Sequence, residues 1–142
     1  MVTIARLTEV SQSDLDSINV LVNQLSERLP KCSPELLKKI VMHKDVELWV
    51  VRDQERIVGM GTLAIVVIPE GERAQIEDVV VDSAYRGQGL GEKIMRTLID
   101  AARARNVRGI GLTSRSERVA AVNMYTKMGF EKWETNVYRL KL

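Results

Sequence analysis

The chain has 142 residues, 45% hydrophobic and 28% charged, which suits one soluble domain with a real core and leaves no room for a second. Its net charge of +2 conceals an asymmetry: residues 1–85 carry 9 Lys or Arg against 14 Asp or Glu, and residues 86–142 carry 12 against 5, so the second half can attract a polyanion. With aromatic residues at 4%, a single cysteine, a single histidine and no long apolar run, composition argues against nucleic-acid stacking, disulfides, a Cys/His metal cluster and a membrane span. A cytoplasmic protein with no metal, no membrane and no nucleic-acid partner is expected.

Val2 to Leu7 alternates as a first strand. Ser11 or Ser13, followed by Asp14 and Asp16, then caps a helix whose apolar face is Leu15, Ile18, Val22, Leu25 and Leu29, with Pro30 ending it. Ser33-Pro34-Glu35 repeats the start signal and predicts a second helix over Ser33 to Lys44. His43 falls at that helix's end and Cys32 just before its cap, where both read as structural. Glu47 to Val51 and Ile57 to Ile68 are β-rich and separated by the polar turn Asp53 to Arg56, which predicts an antiparallel hairpin with Trp49 in the core. Pro69 to Glu72 breaks the chain before a third strand of this group, Gln75 to Val81.

Leu90, Ile94, Leu98, Ala101 and Ala102 mark a long helix to about Arg105, and Gly109 to Thr113 reads as a buried strand parallel to Gln75 to Val81. A last helix is predicted over Glu117 to Met128, with Gly129 as its C-terminal cap. Asn136 to Leu140 patterns as a strand, and Glu131 to Trp133 is a further short candidate. The fold class is therefore α/β (α+β): one domain over residues 1–142, with a mixed, mostly antiparallel sheet of six to seven strands and about four helices.

A strand ending in Val79-Val80-Val81, a polar connection, then Arg86-Gly87-Gln88-Gly89-Leu90-Gly91 opening a helix is suited to phosphate. Free N–H groups at the helix start and its dipole favour an anion, and glycine lets the backbone approach. The loop lacks the Gly-x-Gly-x-x-Gly spacing of dinucleotide-binding folds and the Gly-Lys-Ser/Thr ending of a P-loop. Taken alone it also reads as a turn that needs glycine for its dihedral angles.

With Glu77 on the preceding strand, and Tyr125 four residues before Gly129-Phe130, the sequence strongly resembles the GNAT superfamily of acetyltransferases. The resemblance is most specific from Gln75 to Phe130. It implies that Arg86, Gly87, Gln88, Gly89, Leu90 and Gly91 hold the pyrophosphate of acetyl-coenzyme A. It further implies that Val79, Val80 and Val81 hold the pantetheine arm in a wedge between the two splayed parallel strands, Gln75 to Val81 and Gly109 to Thr113. Glu77 is the candidate base, because an amine attacks a thioester only after losing its proton. The resemblance, if the strand bulges, places an oxyanion-stabilising N–H near Val79, and Tyr125 as the acid that protonates the leaving thiolate. Arg118 stands where many members have asparagine, and Asn123 lies two residues before Tyr125; neither is assigned a role.

An N-acetyltransferase moving acetyl to a primary amine, directly and without a metal, is thus the leading expectation. Ile76 to Val81 is also similar to the corresponding stretch of glucosamine-phosphate acetyltransferases, but cofactor-binding residues do not transmit substrate identity. A non-catalytic acyl-coenzyme A sensor is the alternative, and a nucleic-acid binder using the basic half is a third class. Few residues separate Phe130 from the last predicted strand and no tight-turn signal lies between, so that strand is expected to pair elsewhere, in a homodimer.

Overall fold

Segments rich in Val, Ile and Leu form the strands of a computed structural model that describes residues 1–142. The chain forms two compact units, Met1–Leu112 and Thr113–Leu142. In the first, β1 (Val2–Arg6), β2 (Val46–Asp53), β3 (Arg56–Ile68), β4 (Gly71–Val81) and β5 (Ile110–Gly111) form one sheet in the order β1-β2-β3-β4-β5. The first four are antiparallel in sequence, and β5 is parallel to β4.

Helix α1 (Gln12–Leu25) starts at Ser11, whose hydroxyl accepts from Asp14 N–H at 3.1 Å, and α2 (Pro34–Met42) at Ser33, which accepts from Leu36 N–H at 3.1 Å. These caps satisfy donors the helices leave free. Leu15, Ile18 and Leu21 of α1 and Leu37 of α2 bury against Leu48, Val50, Ile57, Met60 and Val80. Helix α1 stops four residues short of Leu29. Ser26 N–H closes onto the Val22 carbonyl at 3.2 Å, the Ser26 hydroxyl takes Arg28 N–H at 3.2 Å, and Leu29 is left exposed. A local serine turn thus overrides the apolar periodicity.

Between β4 and β5 runs α3 (Leu90–Ala104), with Leu90, Ile94, Met95, Leu98 and Ala102 buried. It approaches the sheet where β3 has Gly59 and Gly61: a Cβ on Gly61 would stand 2.8 Å from Ile94 Cγ2 and from Leu98 Cδ1. Gly61 and Met60 are adjacent and point to opposite sides. Helix α3 therefore covers the sheet face opposite the one under α1 and α2. Trp49, expected in the core, is only half-buried, because it pairs with Arg6 of the edge strand β1; its indole N–H donates to Glu47 Oε1 at 3.0 Å.

The second unit contains α4 (Val119–Lys127). Gly129 follows it with φ +98°, Gly129 N–H reaches the Thr126 carbonyl at 3.1 Å, and Phe130 N–H reaches the Tyr125 carbonyl at 3.0 Å. This is the glycine-terminated cap expected there. Residues 131–142 form no strand. The expected strands at Asn136 to Leu140 and Glu131 to Trp133 are therefore absent, and the sheet has five strands instead of six to seven. A strand is defined by the ladder it shares, and these residues have no ladder partner within the chain. Four helices, a mixed sheet and the parallel β4–β5 pair agree with expectation.

Candidate active site

The sheet opens at β4. Its parallel ladder with β5 comprises only Ala74 with Ile110 and Gln75 with Gly111, whereas β4 continues to Val81. A Cβ at Gly111 would meet only the end of the Gln75 side chain, with Oε1 at 2.9 Å. The expected parallel strand at Gly109 to Thr113 is thus present but short, and the C-terminal half of β4 has a free edge toward β5.

That free edge is also irregular. Against β3, Met60 pairs with Val80 and Thr62 with Glu77, so two residues, Asp78 and Val79, oppose Gly61 alone. Asp78 has φ +52°. This is a β-bulge, in which the extra residue leaves the ladder and turns the strand locally. The condition that the resemblance attached to an N–H near Val79, a bulge in this strand, is therefore met. Gly61 makes it possible from below: its missing side chain leaves room for α3 and for Val79, whose Cγ2 would lie 3.4 Å from an added Cβ.

Glu77 directly precedes the bulge. It shares a pair with Thr62, which faces the α1–α2 side of the sheet, and its carboxylate is exposed. Gln75, two residues earlier on the same stripe, directs its amide at Glu77 Oε1 over 3.4 Å. Val80 belongs to the α1–α2 core, and the Val81 carbonyl accepts from Arg86 Nε at 3.2 Å.

After β4 a one-turn 3-10 helix, Ser83–Tyr85, leads into the glycine loop. Gly87 (φ +80°) and Gly89 (φ +77°) occupy left-handed conformations that disfavour other residues. Gly89 sits at the α3 N-cap with no side chain to cap the helix. A Cβ at Gly87, Gly89 or Gly91 would meet nothing within 4 Å, so the space beside this backbone is open. Gln88 and Arg86 are exposed and Leu90 anchors the helix in the core. An uncapped helix start behind glycines that leave space is a fitting cradle for a diphosphate.

Polar contacts that sequence reasoning missed surround this loop. Asp82, buried, accepts from Ala84 N–H at 2.9 Å and from Arg56 Nη2 at 2.7 Å. The Tyr85 hydroxyl donates to Asp53 Oδ2 at 2.5 Å, and Ser83 N–H donates to Gln24 Oε1 at 2.9 Å. The hydrogen bond to Asp53 and that residue's negative charge push the Tyr85 phenol above the usual tyrosine range. An Asp before Ser-Ala is a legible cap signal. Its pairing with a residue 26 positions away is not.

In the second unit, Tyr125 lies on α4, half-buried, with its ring edge-on to Phe130 at a centroid distance of 6.1 Å. Arg118 precedes the helix and Asn123 is exposed on it. The remaining reactive groups have structural roles. Asn19 clamps the Cys32 backbone with bonds of 2.7 and 3.0 Å, burial raises the Cys32 thiol pKa, and His43 Nδ1 accepts from Asp45 N–H at 3.0 Å. No His, Cys, Asp and Glu side chains gather in a group of three able to hold a metal ion, and no helix is long and apolar enough to cross a membrane.

A parallel pair with a ladder of only two residue pairs, a bulged strand and an uncapped glycine loop on the following helix define an acyltransferase type of fold. The chain belongs to the acetyltransferase (GNAT) family, whose model matches residues 15–130, across both units. It is 33% identical over 135 residues to a glucosamine 6-phosphate N-acetyltransferase of Trypanosoma brucei brucei, covering 90% of each chain. It is 29% identical over 112 residues to N-acetyltransferase 8B of Rattus norvegicus, of which it spans 50%. The crystal structure of a Trypanosoma brucei acetyltransferase superposes with a TM-score of 0.81 at 31% identity over the whole of both chains. That of Arabidopsis thaliana glucosamine-6-phosphate N-acetyltransferase has a TM-score of 0.80 at 21% identity, covering 99% and 98% of the two chains, a likeness of fold.

Proposed function

We propose that this acetyltransferase uses acetyl-coenzyme A to acetylate a primary amine, by direct attack while both substrates are bound, with residues 1–142 as its acetyltransferase domain. The observation that carries the reading is the bulged, half-unpaired β4 followed at once by the uncapped glycine loop. Acetyl-coenzyme A, when bound, supplies an activated acyl thioester. The N–H groups at the start of α3 and the glycine backbone hold its diphosphate, with Arg86 and Gln88 exposed beside them. Val79, Val80 and Val81 offer backbone groups along the free edge of β4, where an extended amide arm can add as a strand would.

Glu77 takes the proton from the attacking ammonium, directly or through one water, and its exposed carboxylate beside the bulge suits that task. A backbone N–H at the Asp78–Val79 bulge stabilises the oxygen on which negative charge develops. Tyr125 returns a proton to the leaving thiolate, its hydroxyl being a proton donor. The activity named for the trypanosome relative makes glucosamine 6-phosphate the first amine to test.

Coenzyme A release across a panel of amines, with Glu77→Gln and Tyr125→Phe, tests this reading. Each variant should lose about a hundredfold or more in kcat while still binding coenzyme A. Tight cofactor binding with no transfer to any amine would favour the sensor instead.

The same reading includes self-association through the tail. Trp133, Val137, Tyr138 and Leu140 are each at least 76% exposed, more apolar surface than a short lone segment ordinarily presents to water. A second copy of the chain is the partner proposed. Light scattering should give the mass of a dimer, reduced by Trp133→Asp with Tyr138→Asp; a monomer at high concentration would refute it.

A further inference from the structure

The residues that lead into the glycine loop are held more firmly than a turn requires. Asp82 alone closes the 3-10 helix, with its side chain on Ala84 N–H at 2.9 Å and its carbonyl on Tyr85 N–H at 2.8 Å. Two further links then tie the turn to the β2–β3 hairpin. Arg56 reaches Asp82 Oδ2 at 2.7 Å, and the Tyr85 hydroxyl reaches Asp53 Oδ2 at 2.5 Å, across 32 residues of sequence. Asp53 and Arg56 are the two residues that flank the hairpin turn and pair with each other across it. Both arms of one rigid hairpin therefore grip one short segment.

Core burial does not account for these links. The 3-10 helix buries none of its residues, Tyr85 is only half-buried, and Arg56 is exposed. What the links do immobilise is the backbone that enters Arg86 and Gly87. From there to Gly89 the chain has two left-handed glycines and no side-chain contact within 4 Å of either Cα substituent position. A loop so free in itself loses entropy when it closes on a ligand, and anchoring its entry reduces that loss.

We propose that Tyr85, Asp53, Arg56 and Asp82 are positioning residues that hold the glycine loop preformed and thereby set the affinity for acetyl-coenzyme A, not the rate of acyl transfer. The inference rests on the loop being the cofactor site, as argued above. The Tyr85–Asp53 bond is its most testable member, because the aromatic ring can stay while the hydroxyl is removed. Asn at position 53 keeps an acceptor oxygen for that hydroxyl, and Ala does not.

The test is titration calorimetry of coenzyme A binding to the full chain, with steady-state kinetics and melting temperatures on the same samples. Tyr85→Phe and Asp53→Ala should raise the Kd for coenzyme A and the KM for acetyl-coenzyme A about five- to tenfold, with kcat at saturation and the KM of the amine within about twofold of the parent. Asp53→Asn should restore the Kd to within about twofold of the parent. Ser33→Ala, remote from the loop, should lower the melting temperature without moving the Kd. An unchanged Kd in Tyr85→Phe would overturn the proposal, as would a Kd that follows melting temperature across all four variants. A parent chain that binds no coenzyme A would remove the cofactor reading itself and this inference with it, whereas normal parental binding with insensitive variants would remove only the inference.

Discussion

Gly61 links the packing of the fold to the geometry of the site, so adding one methyl group there is an informative perturbation. The new Cβ would lie 2.8 Å from both Ile94 Cγ2 and Leu98 Cδ1, where carbon atoms prefer about 3.5–4.0 Å. Both neighbours are essentially fully buried and have no free volume into which to retreat, so α3 must move outward by roughly 1 Å or β3 must bend. Overpacking of this kind costs about 1–3 kcal/mol. For a chain of this size that lowers the melting temperature by roughly 5–10 °C. Gly111→Ala is the matched control, because its nearest obstacle, at 2.9 Å, is the terminal oxygen of Gln75, a flexible side chain that can swing away. It should cost under about 1 kcal/mol. Thermal unfolding followed by circular dichroism, with urea titration at one temperature, reads both. A Gly61→Ala chain as stable as its parent, or a Gly111→Ala chain equally damaged, would show that the helix-on-strand contact is not the constraint inferred here.

Arg52 binds Asp14 through two hydrogen bonds of 2.8 and 2.9 Å, and this contact with Arg52 holds the Asp14 carboxyl below the ordinary range against the opposing effect of burial. A carboxyl with a lowered folded-state pKa stabilises the fold above its unfolded value of about 3.9, and that contribution is lost as pH falls through the folded value. Arg52→Met should therefore cost about 2–3 kcal/mol at pH 7, less than a fully buried pair because the guanidinium is partly solvated, and the gap to the parent in urea titrations should narrow below about pH 4. Ser33→Ala removes the acceptor for Leu36 N–H and should cost about 1 kcal/mol, most of it recovered by Ser33→Asp. An alanine variant with unchanged stability would exclude the cap as a contributor.

Local signals sufficed for the elements whose ends are made by neighbouring residues. Ser33-Pro34 starts α2 where the cap rule places it, and Gly129 ends α4 through a bond back to Thr126. The glycine loop was legible because its chemistry is local: left-handed glycines and free helix N–H groups need no distant partner. The apolar pattern was less decisive where a serine competed with it, as at Ser26, and where half-burial depended on an edge strand, as at Trp49.

Register and partnership were beyond its reach. That Glu77 precedes a bulge, that Gly61 is the residue opposite, and that Tyr85 meets Asp53 all depend on which strand lies beside which, and at what offset. The tail makes the same point in reverse: Asn136 to Leu140 alternates like a strand, yet it remains without one because a ladder needs a second chain segment to supply its donors and acceptors. Motif residues close together in sequence thus carried the family resemblance, and local cap and glycine signals determined the start of α2, the end of α4 and the glycine loop, since each follows from the preferences of residues adjacent in sequence. Tertiary structure alone decided the bulge, the open edge of β4 and the anchoring of the loop, because hydrogen-bond register is a property of two segments at once.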